Sequence, residues 1–242
     1  MDPKGFLQKL ARRVGLDVRR YDRQQDAVLR RQLLLEHYRV QLVLDVGANA
    51  GQYARQLRRG GYRHRIVSFE PQSSAFELLQ KRAAGDPQWS ALHVALSDAD
   101  GTAQINLAGN SLSSSLLGML PTHAESAPES TYVGREAVTT RRLDGLLPDL
   151  APVGTPTYLK IDTQGSELKV LRGAGDALQH VDTLELELSL VPLYEGAPLF
   201  QEMLAWLAER GYELVGLEPA FSDPRSGRLL QADGFFHRPR GA

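Results

Sequence analysis

The sequence predicts an α/β protein, a Rossmann-like domain with a mostly parallel sheet flanked by helices. Two observations carry this. From residue 41 onward, short apolar runs alternate with helical patterns, the rhythm of βαβ units. The first run, VLDV, leads into the glycine-bearing turn GANAGQY at residues 47–53. Such a turn sets free N–H groups at the carboxyl end of a strand, where open parallel sheets bind ligands. The chain has 242 residues, 42% of them hydrophobic, which suits one large domain with a sizeable core.

The elements follow in order. QLVLDV (41–46) reads as a strand and residues 52–59 as a helix; RIVSFE (65–70) is the next strand and residues 73–84 the next helix. SALHVALS (90–97) reads as a third strand. The middle differs in texture. GTAQINLAG and REAVTTRRL flank the serine-rich loop 109–118, which predicts a hairpin carrying a long surface loop of the kind that covers active sites. The α/β rhythm then resumes with TYLKID (157–162), a helix at 166–172, TLELELS (183–189) and a helix at 199–210. YELVGLE (212–218) and DGFFHR (233–238) complete the sheet.

The N-terminal stretch stands apart. Residues 1–31 hold nine basic residues against four acidic ones, with Phe6, Leu7, Leu10 and Val14 at helical spacing. We expect a basic helical extension over residues 1–36 and the α/β domain over 37–242. Its face suits a peripheral membrane contact or, the simpler reading, packing on the domain or on a second subunit as a homo-oligomer. The segment lacks the apolar core of a secretory signal, so the expected location is cytoplasmic. Residues 101–124 carry no formal charge, but their serines, glycines and Pro121 argue against a membrane span. A net charge of −1 gives no reason to expect nucleic acid, and the absence of cysteine excludes thiolate catalysis and zinc–thiolate sites.

The turn itself defines the ligand. A dinucleotide fingerprint counted from Gly47 needs glycines at 49 and 52, where the chain has Asn49 and Gln52. Instead Asp45 precedes the turn, a poor neighbour for a pyrophosphate and a good one for a cationic or hydroxylated ligand. Glu70 ends the second strand, where a carboxylate accepts ribose hydroxyls. A ribose, no pyrophosphate and a positive centre describe S-adenosylmethionine. The alternatives are that Asp45 caps the turn and that Gly47 and Gly51 are ordinary turn glycines.

DVGANAGQY, FEP (69–71), ALSDADG (95–101), the NSLSSS loop, LKIDTQGSELKVLRGA (159–174), LYEG (193–196) and QADGFF (231–236) resemble, in order, the blocks of the FkbM family of methyltransferases. The resemblance runs from about residue 40 to 238. It implies the class I methyltransferase fold, with a seven-stranded sheet whose last strand is antiparallel. By position, Asp45, Gly47, Asn49 and Gly51 would hold the methionine part, Glu70 the ribose, and Ser97 with Asp98 the adenine. SDADG is equally a plain turn signal.

An alcohol acceptor needs a base at the carboxyl end of the fourth strand, and Asp162 stands there; helix capping is its other reading. Glu185 and Glu187 share one side of the fifth strand, and buried glutamates need partners. Glu187, nearer the carboxyl end, can orient a substrate hydroxyl. Asp162 with Glu187 also offers a pair for a divalent cation, but hydrogen-bonded structure is the simpler reading and no metal ligand is assigned. The six histidines show no metal spacing; His93 and His180 read as structural, and His123 is an alternative base. Family members commonly act on sugars and on glycosylated lipids, polyketides or polysaccharides, so the resemblance implies an O-methyltransferase for such an acceptor. N- or C-methylation of a small metabolite is the alternative, with a nicotinamide-dependent oxidoreductase further behind.

Overall fold

The computed structural model describes residues 9–13, Gly15 and residues 26–239. Seven strands form one sheet: β1 (Leu42–Val46), β2 (Arg65–Phe69), β3 (Trp89–Leu92), β7 (Thr157–Ile161), β8 (Thr183–Ser189), β9 (Glu213–Ser222) and β10 (Leu229–His237). Their order is β3-β2-β1-β7-β8-β10-β9, and only β10 runs antiparallel to its neighbours. This is the class I methyltransferase architecture that the sequence implies. The order reverses between β1 and β7, which opens a crevice at their carboxyl ends.

All five residues of β1 and of β7 are buried, as expected of parallel strands covered on both faces. On one face Leu44, Val46, Phe69, Leu159, Ile161 and Leu186 pack with α6 (Glu167–Ala174) and α7 (Phe200–Ala208). On the other, Val43, Ile66 and Tyr158 meet α1 (Ala27–His37), α2 (Gln52–Gly60) and α3 (Ser73–Ala83) through Leu35, Ala54, Leu57 and Leu79. Two short helices, α4 (Pro121–Ser126) and α5 (Leu147–Leu150), lie in the connections before β7.

The middle segment forms the expected hairpin, β5 (Gly101–Ala108) with β6 (Tyr132–Arg141), plus a third strand, β4 (Ala95–Leu96), parallel to β6. The sequence reading of 90–97 as one strand is corrected here. β3 pairs with β2 in the main sheet, whereas β4 pairs with Thr140 and Arg141 in the smaller one. The chain turns between them at His93, which is exposed, stacks on Phe76 and sets Nε2 2.9 Å from the Pro71 carbonyl. β9 also runs past the expected end, through Pro219. It is an edge strand, and Pro219 pairs with Ala232 beside a register shift, the setting in which a strand tolerates proline.

Among the described residues no helix is long and apolar enough to cross a membrane. Phe6, Leu7 and Val14 of the expected amphipathic helix lie outside the described residues; Leu10 falls in the helical stretch 9–13 and is exposed. The later part of this segment packs on the domain. Asp26 caps α1 by accepting from the Val28 and Leu29 amides, and residue 36 falls in the last turn of that helix. Arg31 on α1 is buried, and its Nη2 lies 2.5 Å from Glu185 Oε1 while Nε contacts both carboxylate oxygens at 3.0 and 2.9 Å. The hydroxyls of Tyr53 and Tyr158 donate to the same glutamate at 2.5 and 2.7 Å. Glu185 thus has its partners without any ligand.

Removing one member of a buried ion pair strands the other charge. Arg31→Met is expected to lower the unfolding free energy by about 3 kcal/mol, and Arg31→Met with Glu185→Gln to recover part of that loss. Urea denaturation checks both; a loss below about 1 kcal/mol would show that the pair does not anchor α1.

Candidate active site

The crevice is built from the turn after β1. Gly47 has φ +75°, and a Cβ there would stand 1.9 Å from the Asp162 carbonyl oxygen. Glycine is therefore required by the approach of the two strand ends. Asn49 also takes a left-handed backbone, φ +46°, which asparagine tolerates through local side-chain hydrogen bonds; its Oδ1 accepts from the Ala50 amide at 2.7 Å. Gly51, φ +82°, caps α2, and a Cβ there would press within 3 Å of Trp89 and Leu79. Its freedom serves packing behind the turn.

Glu70 closes the opposite side. It is buried, and its two oxygens accept the backbone N–H groups of Asn49 at 2.7 Å and Gln72 at 2.8 Å. Burial outweighs these bonds and pushes its pKa up to about 7. Between the turn, Glu70 and the end of β7 lies a narrow cleft, about 540 Å³ of non-atom space counted out into open solvent, of which about 50 Å³ admits the centre of a water molecule. Gly47, Asn49, Glu70 and Asp162 all line it, with apolar walls from Phe69, Val94, Leu96, Ile105 and Leu116. An apolar chamber with a few convergent polar groups is the usual form of a small-molecule site.

The serine-rich loop covers this cavity. Asn106 and Ser115 exchange both backbone hydrogen bonds, folding the loop back on β5. Ser111 accepts at its carbonyl from the side chains of Asn49 at 3.1 Å and Gln72 at 3.2 Å. Ser115 Oγ donates to the Gln164 carbonyl at 2.7 Å. Ser166, at the start of α6, also lines the cavity, and its buried hydroxyl has no partner among the described residues.

Below the turn lies a charged layer. Lys160 Nζ stands 3.5 Å from Asp45 Oδ1, 3.4 Å from Asp162 Oδ2, and 3.4 Å from each of the Val46 and Gly47 carbonyls. Burial alone would discharge this lysine, but Asp162 and Asp45 outweigh it and hold its pKa above the usual lysine range. Asp45 is wholly buried and accepts from Ser68 Oγ at 3.0 Å. Asp162 is 40% exposed at its side chain, and its Oδ1 accepts from Gln164 Nε2 at 2.8 Å. That same amide nitrogen donates to Glu187 Oε2 at 2.8 Å, which also accepts from Gln231 at 2.7 Å. Burial and the nearby charges of Asp162, Glu167 and Asp233 push the Glu187 carboxyl well above the ordinary range. Asp233 pairs across the ladder with Glu187, and burial with the Glu185 and Asp162 charges brings its pKa to about 7. Glu167 gathers the Thr163 and Gly165 amides at 2.9 and 3.2 Å, fixing the loop that follows Asp162.

A family model for the methyltransferase FkbM domain matches residues 45–214. The chain belongs to the FkbM methyltransferase family. Methyltransferase sdnD of Sordaria araneosa is 25% identical over 201 residues, 72% of this chain and 74% of that protein. Among solved structures, methyltransferase FkbM from Methylobacillus flagellatus KT is 17% identical with a TM-score of 0.49; the match covers 81% of this chain and 43% of that one. The chain therefore spans less than half the length of that relative. A Klebsiella pneumoniae protein provisionally assigned as an O-methyltransferase shares the fold, with a TM-score of 0.50, 12% identity and coverage of 99% and 91%.

Within this FkbM domain the expected site residues divide by position. Gly47, Asn49, Glu70 and Asp162 meet at the cavity. Asp45 and Gly51 stand beneath the turn, and Glu187 is joined to Asp162 through Gln164. Ser97 and Asp98 stand off the cavity wall, which is formed by the preceding Val94, Ala95 and Leu96. Ser97 donates its amide to the Arg141 carbonyl, Asp98 is exposed, and the Ser97 carbonyl packs so tightly on Gly173 that a Cβ there would fall 1.9 Å away. His123 is buried against Tyr194 and Phe221 with its Nδ1 unpartnered among the described residues. Burial lowers its pKa, and it does not line the cavity.

Lys160, Gln164, Gln72, Ser166 and Asp233 escaped the sequence reading. Lys160 had a usable signal, a cation inside the apolar run TYLKI, because a buried charge must have partners. Gln164 had none, since its role depends on a left-handed backbone, φ +55°, that the residue type does not announce.

Gly47→Ala should cost at least about 2 kcal/mol in urea unfolding, because positive φ and a backbone clash act together. Gly61→Ala, at φ +104° with open space where the Cβ would be, should cost about 1 kcal/mol. Equal losses would show that the contact with Asp162 is not the constraint.

Proposed function

We propose that the protein is an S-adenosylmethionine-dependent O-methyltransferase acting on a hydroxyl of a sugar or of a glycosylated lipid, polyketide or polysaccharide. One observation carries the reading: Glu70 and Asp162, the carboxylates expected for cofactor and acceptor, open into a single cavity. The acceptor class rests on the family. In the same reading residues 1–36 are a basic helical extension on the 37–242 domain, and the enzyme works in the cytoplasm.

The residues present fit the cofactor. Glu70 offers a carboxylate to ribose hydroxyls, with its orientation fixed by two backbone N–H groups. Gly47 and Asn49 form the turn beside the methionine part, with Lys160 and the buried Asp45 beneath it. The apolar wall of Val94, Ala95 and Leu96 suits the adenine ring, and the free Ser166 hydroxyl supplies a polar contact in the same chamber. When bound, S-adenosylmethionine supplies an electrophilic methyl group: the acceptor oxygen forms a bond to its carbon as the carbon–sulfur bond breaks with its electron pair on sulfur.

The protein's own contribution is alignment and proton removal. The loop of residues 109–118 shields the cavity from water through its bonds to Asn49, Gln72 and Gln164, and holding the reactants aligned removes part of the barrier. Asp162 takes the acceptor's hydroxyl proton. Lys160 and Gln164 hold its two oxygens in place, so it need not reorient as the proton arrives.

Two measurements test the reading. Ribose hydroxyls donate to the ionised form of Glu70, and its carboxyl titrates near 7 in the free protein. Affinity for S-adenosylhomocysteine should therefore rise as pH increases from 6 to 8. Glu70→Gln should abolish that rise and weaken binding by roughly tenfold to a hundredfold; calorimetry that finds a flat or falling wild-type profile would remove Glu70 from the ribose site. Asp162→Asn should bind S-adenosylhomocysteine normally and lose roughly 10²- to 10⁴-fold in turnover. Mass spectrometry of products from sugar and amine panels reports the acceptor, and methylation of amines alone would overturn the O-methyl assignment.

A further inference from the structure

Gln164 lines the cavity and bonds to two carboxylates, to Tyr194 and to the covering loop. Its side-chain amide offers two N–H donors and one carbonyl acceptor, and all three are engaged. Nε2 donates to Asp162 Oδ1 at 2.8 Å and to Glu187 Oε2 at 2.8 Å, while Oε1 accepts from the Tyr194 hydroxyl at 2.5 Å. Its backbone carbonyl receives Ser115 Oγ from the covering loop. The orientation is set by Tyr194, because a flipped amide would turn its carbonyl oxygen toward two carboxylates. Tyr194 is itself fixed, buried against His123 and against Gly165, where a Cβ would lie 2.8 Å from its own Cβ.

The wedge matters because of what it separates. Two carboxylates brought together in a partly buried site share a proton, and neither then acts as an independent base. Here a neutral amide sits between them and satisfies one oxygen on each. Gln231 donates to the Glu187 oxygen from the other side at 2.7 Å. The groups facing Asp162 are Lys160 on its own strand, Asp45 on β1, Glu187 on β8, Asp233 on β10, Glu167 on α6 and Tyr194 after β8. Lys160 is the one cation in that set.

We propose that Gln164 is a positioning residue for methyl transfer, an amide spacer that stands between the Asp162 and Glu187 side chains and holds Asp162 toward the acceptor. The proposal rests on the reading of Asp162 as the base. It also gives Glu187 its part: an anchor for the amide, off the cavity wall and one bond removed from the acceptor.

Two variants test it. Gln164→Met keeps the length of the side chain and removes all three hydrogen bonds; it should lower kcat by about 100-fold, the scale of a misplaced reacting group, and leave S-adenosylhomocysteine affinity within threefold. Gln164→Glu puts a third carboxylate between the two, so a proton must be retained among them. The acid limb of its turnover profile should move at least one pH unit upward, with activity returning at high pH. A merely structural role would lower stability and cofactor affinity together and leave the profile where it was. Wild-type turnover and profile in Gln164→Glu, or loss of S-adenosylhomocysteine binding in step with kcat, overturns the proposal. Should Gln164→Met not fold, Tyr194→Phe removes the bond that orients the amide, and unchanged kcat there overturns it equally. Asp162→Asn separates the two readings: if it loses turnover while the Gln164 variants do not, the base stands and the spacer falls; if it keeps turnover, the base falls first.

Discussion

The Lys160 ammonium sits where the two halves of the sheet meet, and the geometry of the cavity depends on it. β1 and β7 are adjacent at the point where the strand order reverses, and Lys160 lies under both of their carboxyl ends. It reaches the Val46 and Gly47 carbonyls on one side and Asp45 and Asp162 on the other. An ammonium desolvated this completely is tolerated only with opposite charge around it. Asp45 supplies that charge from beneath, which leaves Asp162, the more exposed of the two carboxylates, to face the cavity. The same cation therefore holds the turn that would carry the methyl donor and the carboxylate that would receive the proton.

This charged layer occupies one face of the sheet only. The face under α6 and α7 is a continuous apolar core through β1, β2, β7 and β8. The opposite face begins apolar at Val43 and Ile66 and becomes polar toward the carboxyl ends, through Asp45, Ser68, Lys160, Glu185 and Glu187. Strand alternation produces this division, since successive side chains point to opposite faces. Arg31 reaches the layer from α1 and neutralises Glu185, with its guanidinium 5.2 Å from the Tyr53 ring centre. α1 thus belongs energetically to the cavity face of the sheet, because without it a carboxylate would be left buried beside two phenols.

Legibility in the sequence followed the range of the interaction. The parallel strands were legible because their apolar runs report burial on both faces, and the hairpin because strand-forming stretches flank a run of serines. The break between β3 and β4 was not legible: Ala95 and Leu96 are as apolar as the strand before them, and only their partner, β6, tells the two apart. Within the site, Glu70 could be placed because a strand end and an acidic residue coincide. Ser97 and Asp98 carried a turn signal that fits the chain reversal into β5 equally well, and the packing of Gly173 on the Ser97 carbonyl has no local signature. Gln164 and Ser111 depend on positive φ in residues other than glycine, a choice made by tertiary contacts.

Coupling between the covering loop and the carboxylates of Glu70, Asp162 and Glu187 follows from the same bonds. Ser111 hangs from Asn49 and Gln72, whose backbone amides also hold Glu70, and Ser115 hangs from Gln164, whose amide holds Asp162 and Glu187. Moving the loop away to admit an acceptor would break bonds to both ends of the cavity at once. Each such bond is worth about 1 kcal/mol net, and the Ser115 bond is buried, so the loop is anchored at both ends of the cavity. The serines suit this anchoring because short hydroxyl side chains give hydrogen bonds at little conformational cost, while Leu112 and Leu116 of the same loop line the cavity.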